Sequence, residues 1–172
     1  MVDTLKPTVS TITADTDPVY TLDLTTEVVV TFSEATDGTT APTIASTTST
    51  NFTVGVGVWS AGDTVYTVTL THDATVEEIA AETITANGAV DVAGNTQTAV
   101  GTTSAFVVDT KIPALTAVSI ASSYQLGLAI QSADVTLSFT ADEEVVSTPD
   151  VTLTGAGATD LGSCGATTDT SA

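Results

Sequence analysis

Acidic residues in short loops are the side chains of this sequence best suited to chemistry. Asp91 and Asn95 flank the tight turn "DVAGN", and Glu34 and Asp37 follow a segment of alternating apolar residues. Calcium takes about six to eight hard oxygen ligands, which Asp, Glu and Asn side chains in loops supply. We therefore consider as candidate calcium ligands Asp109, Asp91, Asn95, Glu34, Asp37, Asp142 and Glu143.

A structural interpretation of the same residues stays open beside this one. Asp91 and Asn95 can stabilise their turn by hydrogen bonds, and the other carboxylates can be solvated. An EF-hand is absent from the sequence, because "DTD" at Asp15–Asp17 lacks the glycine and the distal glutamate of that loop.

Catalytic chemistry has few residues to use. His72 is the only histidine and Cys164 the only cysteine, so a Ser-His-Asp or Cys-His arrangement would have to use His72. No nucleophile motif lies near His72, and zinc would need further His or Cys ligands. We interpret His72 as a surface residue and predict that the chain is not an enzyme. Cys164 cannot form an intrachain disulfide.

The charge balance excludes one large class of partners. The sequence has 21 acidic residues and two basic ones, Lys6 and Lys111, which gives a formal net charge of −19. Nucleic-acid backbones require clustered Lys and Arg, so nucleic-acid binding is excluded. Anionic lipid is disfavoured for the same reason. No apolar stretch is long enough to span a bilayer, and the first residues, "MVDTLK", do not read as a signal peptide.

The elements that must position the acidic loops are predicted to be strands. The chain is rich in Thr and Val, which favour pleated strands. Alternating apolar residues predict strands in "PTVSTIT", "EVVVTF", "TVGVGVW", "DTVYTVTLT", "ETITANGAV" and "SAFVVD", with Gly, Asp and Asn turns between them. Val28, Val30 and Phe32 are expected to share one face. Ala74–Glu82 is the one helix-like stretch, since Val76, Ile79 and Ala80 have helical spacing.

Two phrases recur in the same order and indicate an internal repeat. "VDTLKP" at residues 2–7 returns as "VDTKIP" 106 residues later, and "EVVVTFSEA" corresponds to "DVTLSFTADEEV" about 107 residues on. We therefore expect a complete β-sandwich over residues 1–108 and the N-terminal part of a second one over residues 109–172. The predicted strands of the second unit extend through "DVTLTGAG" at Asp150–Gly157. The second unit is either truncated or completed by strands of another chain.

About seven short strands in one repeat are typical of an immunoglobulin-like antiparallel β-sandwich. In such a sandwich the loop after the second strand and the loop before the last strand lie at the same end, so the candidate ligands in these loops can converge with Asp109 in the second "VDT" phrase. With the "VDT" phrases, "VTFSEA" and "DVAGNT", the sequence resembles the tandem Ig-like repeats of large bacterial cell-surface proteins of the adhesin and S-layer type. The resemblance implies an extracellular location, spacer function and calcium at the joints between repeats. It implies neighbouring repeats or identical subunits as partners, with any cell-surface or carbohydrate ligand bound by modules outside this chain.

Three functions follow as hypotheses. The first is a non-catalytic stalk or wall segment of a secreted surface protein. The second is a filament or lattice subunit whose incomplete second unit receives a strand from a neighbour. The third, less favoured, is a carbohydrate- or ice-binding module with a flat threonine-rich face.

Overall fold

The structure is all-β throughout the residues it describes. It is a computed structural model that describes residues 2–98, 100–123, 135–143 and 145, and every regular element in these ranges is a strand. The chain divides into two compact units, Met1–Ile112 and Pro113–Ala172. Within the described ranges, no helix has the length and apolar character needed to cross a bilayer. The prediction of an all-β, largely antiparallel fold is confirmed.

The described residues of the first unit form eleven strands. They are β1 Val9–Ala14, β2 Val19–Tyr20, β3 Thr25–Phe32, β4 Thr43–Ser46, β5 Phe52–Val54, β6 Val58–Ser60, β7 Val65–His72, β8 Glu78–Glu82, β9 Ile84–Asn87, β10 Gly101–Thr102 and β11 Phe106–Asp109. The largest sheet has the order β1-β3-β7-β5, and β6 also pairs with β7. Two smaller sheets have the orders β10-β9-β4 and β2-β11-β8. All these pairs are antiparallel except β2–β11.

The core lies between the large sheet and the two small ones. Alternation in β3 buries Val28, Val30 and Phe32 together, as the sequence predicts. The large sheet also contributes Ile12, Tyr66, Val68 and Leu70, and the small sheets and their loops contribute Val19, Ile44, Ile84, Ala86, Ala89, Phe106 and Val108. Full burial of each large aliphatic side chain contributes about 1.5–3 kcal/mol. The arrangement is consistent with a β-sandwich.

The predicted helix at Ala74–Glu82 is wrong. Residues Glu78–Glu82 form β8, which pairs with β11 and contains a register shift. Phe106 faces Glu82 and Val108 faces Ile79, so three steps on β8 match two on β11. The extra residue of a bulge puts Ile79 and Glu82 toward the same side at a spacing of three. Of the three residues whose spacing predicted a helix, Ile79 is half-buried, whereas Val76 and Ala80 are exposed, so they do not form one apolar face.

The predicted strand "TVGVGVW" is divided in two. β5 and β6 both pair with β7, but residues 55–57 between them are not a strand. Val54 faces Leu70 and Val58 faces Thr67, so one additional residue lies on the side of β5 and β6. Val56 is 96% exposed because it lies in this irregular segment.

The described part of the second unit is a pair of antiparallel strands, β12 Leu115–Ser122 and β13 Val135–Ala141. Its register shifts between Leu115 and Ala117, as that of β1 and β3 shifts between Val9 and Thr11. When the two register shifts are aligned, Ala141 of β13 matches Phe32 of β3. This match gives an offset of 109 residues between β3 and β13, whereas the comparison of the sequences gives about 107. The predicted strand at Asp150–Gly157 and Cys164 lie outside the described residues.

The first unit has two poles, at opposite ends of its strands. At the entry pole the segment before β1 meets the end of β3, where the Ser33 N–H donates to the Thr8 carbonyl. At the exit pole the residue after β11, Thr110, donates its N–H to the Glu77 carbonyl. Glu77 in turn contacts His72, whose N–H donates to Leu24 just before β3. The eight residues of β3 separate the poles by about 24 Å.

Candidate cation site

Three carboxylates converge at the entry pole. Asp3 precedes β1, Glu34 follows β3 and Asp91 follows β9, and one oxygen of each lies within 4.8 Å of the others. Two of these residues, Glu34 and Asp91, are among the candidate ligands from the sequence. We call Asp3, Glu34 and Asp91 the entry cluster.

Backbone hydrogen bonds hold the loop that carries Glu34. Thr36 donates both its N–H and its hydroxyl to the Asp63 carbonyl, each at 2.9 Å. The Asp37 N–H donates to the Val90 carbonyl at 2.8 Å, and Thr36 pairs with Asp91 as an isolated bridge. The loop after β3 is thereby joined to the segment of Asp91.

The turn "DVAGN" holds Asp91 through Asn95. The Asn95 N–H donates to Asp91 Oδ1 and its side-chain Nδ2 to Asp91 Oδ2, both at 2.7 Å. The same Nδ2 lies 3.3 Å from the Asp3 carbonyl oxygen, so Asn95 links Asp91 to the segment before β1. Burial raises the pKa of Asp91, but the hydrogen bonds from Asn95, Ala93 and Gly94 outweigh it and lower the pKa overall. Asp91 is therefore held ionised.

Glu34 has the least favourable surroundings of the three. Desolvation raises its pKa, and repulsion by Asp3 and Asp91 raises it further. Its Oε1 is buried without a hydrogen-bond partner. Carboxylates are costly to bury unless a donor or a cation compensates them. The entry cluster thus has the donor set of a hard-cation site, in which water or carbonyl oxygens would complete the shell.

The other sequence-derived candidates lie outside the entry cluster. The Asp37 carboxylate accepts from the N–H groups of Thr39 and Thr40 and from the Thr40 hydroxyl at 2.6–2.8 Å. These bonds lower its pKa to about 2, led by the Thr40 side chain. Asp37 therefore stabilises the conformation of its own loop through these hydrogen bonds.

Asp109 lies at the exit pole, where it ends β11 and pairs with Glu78. Its Oδ1 accepts from the Lys111 N–H at 3.2 Å. The convergence expected between Asp109 and the loops of Glu34 and Asp91 does not occur within the first unit. In the second unit, the Asp142 carboxylate accepts from the Ala114 N–H at 2.8 Å, and Glu143 follows it.

Sequence reasoning missed Asp3. The signal was available, because the first "VDT" phrase places Asp3 before β1 as the second places Asp109 before β12. The loops after β3 and β9 lie at the pole where the first phrase enters. Asp3, not Asp109, is therefore the residue of this phrase that meets Glu34 and Asp91.

His72 is buried, so its interpretation as a surface residue is wrong. The ring lies 2.9 Å from Glu77 Oε2 through Nε2, and Nδ1 accepts from the Ala74 N–H at 3.2 Å. Glu77 also accepts from the Ser49 hydroxyl at 2.7 Å and from Asn51 Nδ2 at 2.6 Å. With both ring nitrogens engaged, His72 links β7 to the loops around it.

Searches of protein-family models, of curated proteins and of solved structures each give no match.

Proposed function

We propose that this chain is a non-catalytic structural segment of a bacterial surface protein, made of tandem Ig-like domains and stiffened by calcium. The segments before β1 and after β11 lie at opposite poles of the first unit, and this observation carries the proposal. A force that pulls these two segments apart acts along the strands and shears the hydrogen-bond ladders between β1 and β3 and between β8 and β11. Several hydrogen bonds must then break together, which suits a stalk or spacer.

The second "VDT" phrase supports the tandem arrangement through its contacts. The buried Thr110 hydroxyl donates to the Thr75 carbonyl at 2.6 Å and accepts from the Glu77 N–H at 2.8 Å. These bonds hold the chain as it leaves β11, and Pro113 then restricts the backbone. The shared register shift of β1–β3 and β12–β13 supports a second copy of the fold.

Calcium is proposed to bind at the entry cluster. It would cancel the mutual repulsion of Asp3, Glu34 and Asp91 and join the segment before β1 to the loops after β3 and β9. Such a cation stiffens the pole at which a preceding segment would attach. It also fits a chain with 21 acidic and two basic residues, because a secreted protein meets calcium outside the cell.

We expect calcium to stabilise the first unit. Extracellular calcium modules bind with Kd near 10⁻⁴–10⁻³ M, so about 10 mM calcium should add roughly 1.5–3 kcal/mol and raise Tm by about 5–10 °C. The measurement is thermal unfolding with calcium and with chelator at matched ionic strength. Equal Tm values in the two conditions would remove the calcium hypothesis.

Glu34→Gln tests whether the entry cluster is responsible. Above the ordinary pKa of 4.5 the metal-free protein loses stability as pH rises through the raised pKa of Glu34, because ionisation is disfavoured in the fold. The variant should therefore unfold at the same or a higher Tm in chelator at neutral pH, yet lose the calcium response. Glu27→Gln, an equal charge change on exposed β3 surface, should keep the response. A calcium response retained in Glu34→Gln would place the ion elsewhere.

A filament or lattice subunit is the second candidate, supported by apolar exposure in the second unit. Val118 corresponds through the register shift to buried Ile12, yet it is 61% exposed. Leu115, Ile120 and Val135 are also 46–66% exposed. If a neighbour's strand covers them, sedimentation should detect concentration-dependent association, and Val118→Asp should abolish it. A wild-type chain that remains monomeric at high concentration contradicts this candidate.

The third hypothesis, a binding module with a threonine-rich face, has weaker support. The outer face of the large sheet does carry exposed threonines, including Thr11, Thr13, Thr25, Thr69 and Thr71. Adjacent strands in a sheet rotate by about 20–25°. This twist works against the flat array that an ice surface requires.

A further inference from the structure

We infer that Asn87 is a site of spontaneous covalent modification, at which its side-chain amide is converted to a carboxylate through a cyclic imide. The observation is the geometry of Asn87 and Gly88 at the end of β9. The Gly88 N–H donates to Asn87 Oδ1 at 2.8 Å. The backbone nitrogen is thus held at hydrogen-bond distance from the oxygen of the carbonyl group whose carbon it must attack, and bonds form from separations of about 3–3.5 Å.

The surroundings leave room for ring closure. Asn87 is exposed. Gly88 has φ +82°, and no heavy atom other than those of Gly88 and its two chain neighbours lies within 4 Å of the position that a Cβ would take. A side chain at residue 88 would hinder the approach of its own nitrogen to Asn87, and glycine has none.

The reaction balances with water as the only co-reactant. The deprotonated Gly88 nitrogen attacks Asn87 Cγ, the bond from Cγ to Nδ2 breaks, and ammonia leaves. Water then opens the five-membered imide at either carbonyl. One product is aspartate at residue 87, and the other is isoaspartate, in which the main chain runs through the former side chain.

The other two asparagines of the sequence provide internal controls. Asn51 precedes Phe52, and its Nδ2 donates to Glu77 Oε1 at 2.6 Å. Asn95 precedes Thr96, and its Nδ2 donates to Asp91 Oδ2 at 2.7 Å. Both amides are held by carboxylates, and both are followed by larger residues.

Modification at Asn87 has a structural consequence. Asn87 pairs with Thr43 as the last residue of β9, and the fully buried Ala89 follows two residues later. Isoaspartate inserts one extra main-chain atom between β9 and Ala89. It also adds a negative charge to a chain of formal charge −19. The isoaspartate form should therefore have a lower Tm than the unmodified protein.

The test is a time course on the folded 172-residue chain in mildly alkaline buffer at physiological temperature. Peptide mapping by mass spectrometry should find conversion at Asn87 at least about ten-fold faster than at Asn51 or Asn95. An acidic charge variant should accumulate in wild type and be absent from Asn87→Gln, whose longer side chain cannot close the same ring. Conversion at Asn87 no faster than at the two other asparagines would overturn the inference.

Discussion

Replacement of Glu82 by alanine is expected to lower the free energy of unfolding by about 3–5 kcal/mol. The side chain is fully buried. Its Oε1 accepts from the N–H groups of Thr47, Thr48 and Thr83 at 2.8–3.1 Å, and its Oε2 accepts from the Ser49 N–H at 2.6 Å. Alanine removes the acceptor for all four donors. A typical domain has a total stability of about 5–15 kcal/mol, so the loss is severe.

The control for this substitution lies on the same strand. Glu78 is 68% exposed and pairs with Lys111 at 3.6 Å, so Glu78→Ala should cost no more than about 1 kcal/mol. Denaturant unfolding of both variants measures the difference. If Glu82→Ala fails to fold, Glu82→Gln keeps the shape and should still unfold at markedly lower denaturant than wild type. Equal stabilities of Glu82→Gln and Glu78→Ala would contradict the assigned role.

Glu82 should also contribute to acid sensitivity. Burial raises its pKa, but the backbone hydrogen bonds from Ser49, Thr48, Thr83 and Thr47 together lower it below the ordinary value of 4.5. The contribution of Glu82 to stability is therefore complete above pH 4.5 and lost as pH falls through the lower folded value. The Glu82→Gln variant should lack this part of the acid dependence.

Leu70→Ala should cost about 2–5 kcal/mol, because it leaves a cavity in the centre of the core. Leu70 has no exposed surface and lies on β7, between Thr26 of β3 and Val54 of β5. Thr69→Ala is the matched control: Thr69 faces solvent on the same strand, and its substitution should change stability by about 0.5 kcal/mol or less. Denaturant midpoints at an unchanged m-value provide the comparison. A small loss of stability in Leu70→Ala would mean that the two small sheets do not pack against β7 of the large sheet.

Period-two alternation made the central strands predictable. Val28, Val30 and Phe32, and likewise Tyr66, Val68 and Leu70, face the core because side chains alternate across an extended strand. The bulges were not predictable in this way. Val76, Ile79 and Ala80 have helical spacing, but residues 78–82 form a strand with a register shift in which Ala80 is exposed. The irregular segment 55–57 likewise divides an apparently continuous strand.

The candidate site was predictable in part. Glu34 and Asp91 were identified because acidic loops follow strands, and loops at one end of a sandwich can converge. Asp37 was indistinguishable from them by residue type, but local hydrogen bonds to Thr39 and Thr40 occupy its carboxylate. Asp109 and Asp3 belong to the same repeated phrase. Only the pole at which each lies determines that Asp3 meets Glu34 and Asp91.

The sequence by itself determined the all-β class, the apolar faces of β3 and β7 and the strongly acidic surface, because these depend on residue types and on the geometry of neighbouring residues. The tertiary structure alone decided which carboxylates come together, that His72 and Glu82 are buried, and that β8 is a strand. These features depend on pairing between residues distant in the sequence. Burial and hydrogen-bond partners are set by that pairing, and local periodicity carries no information about it.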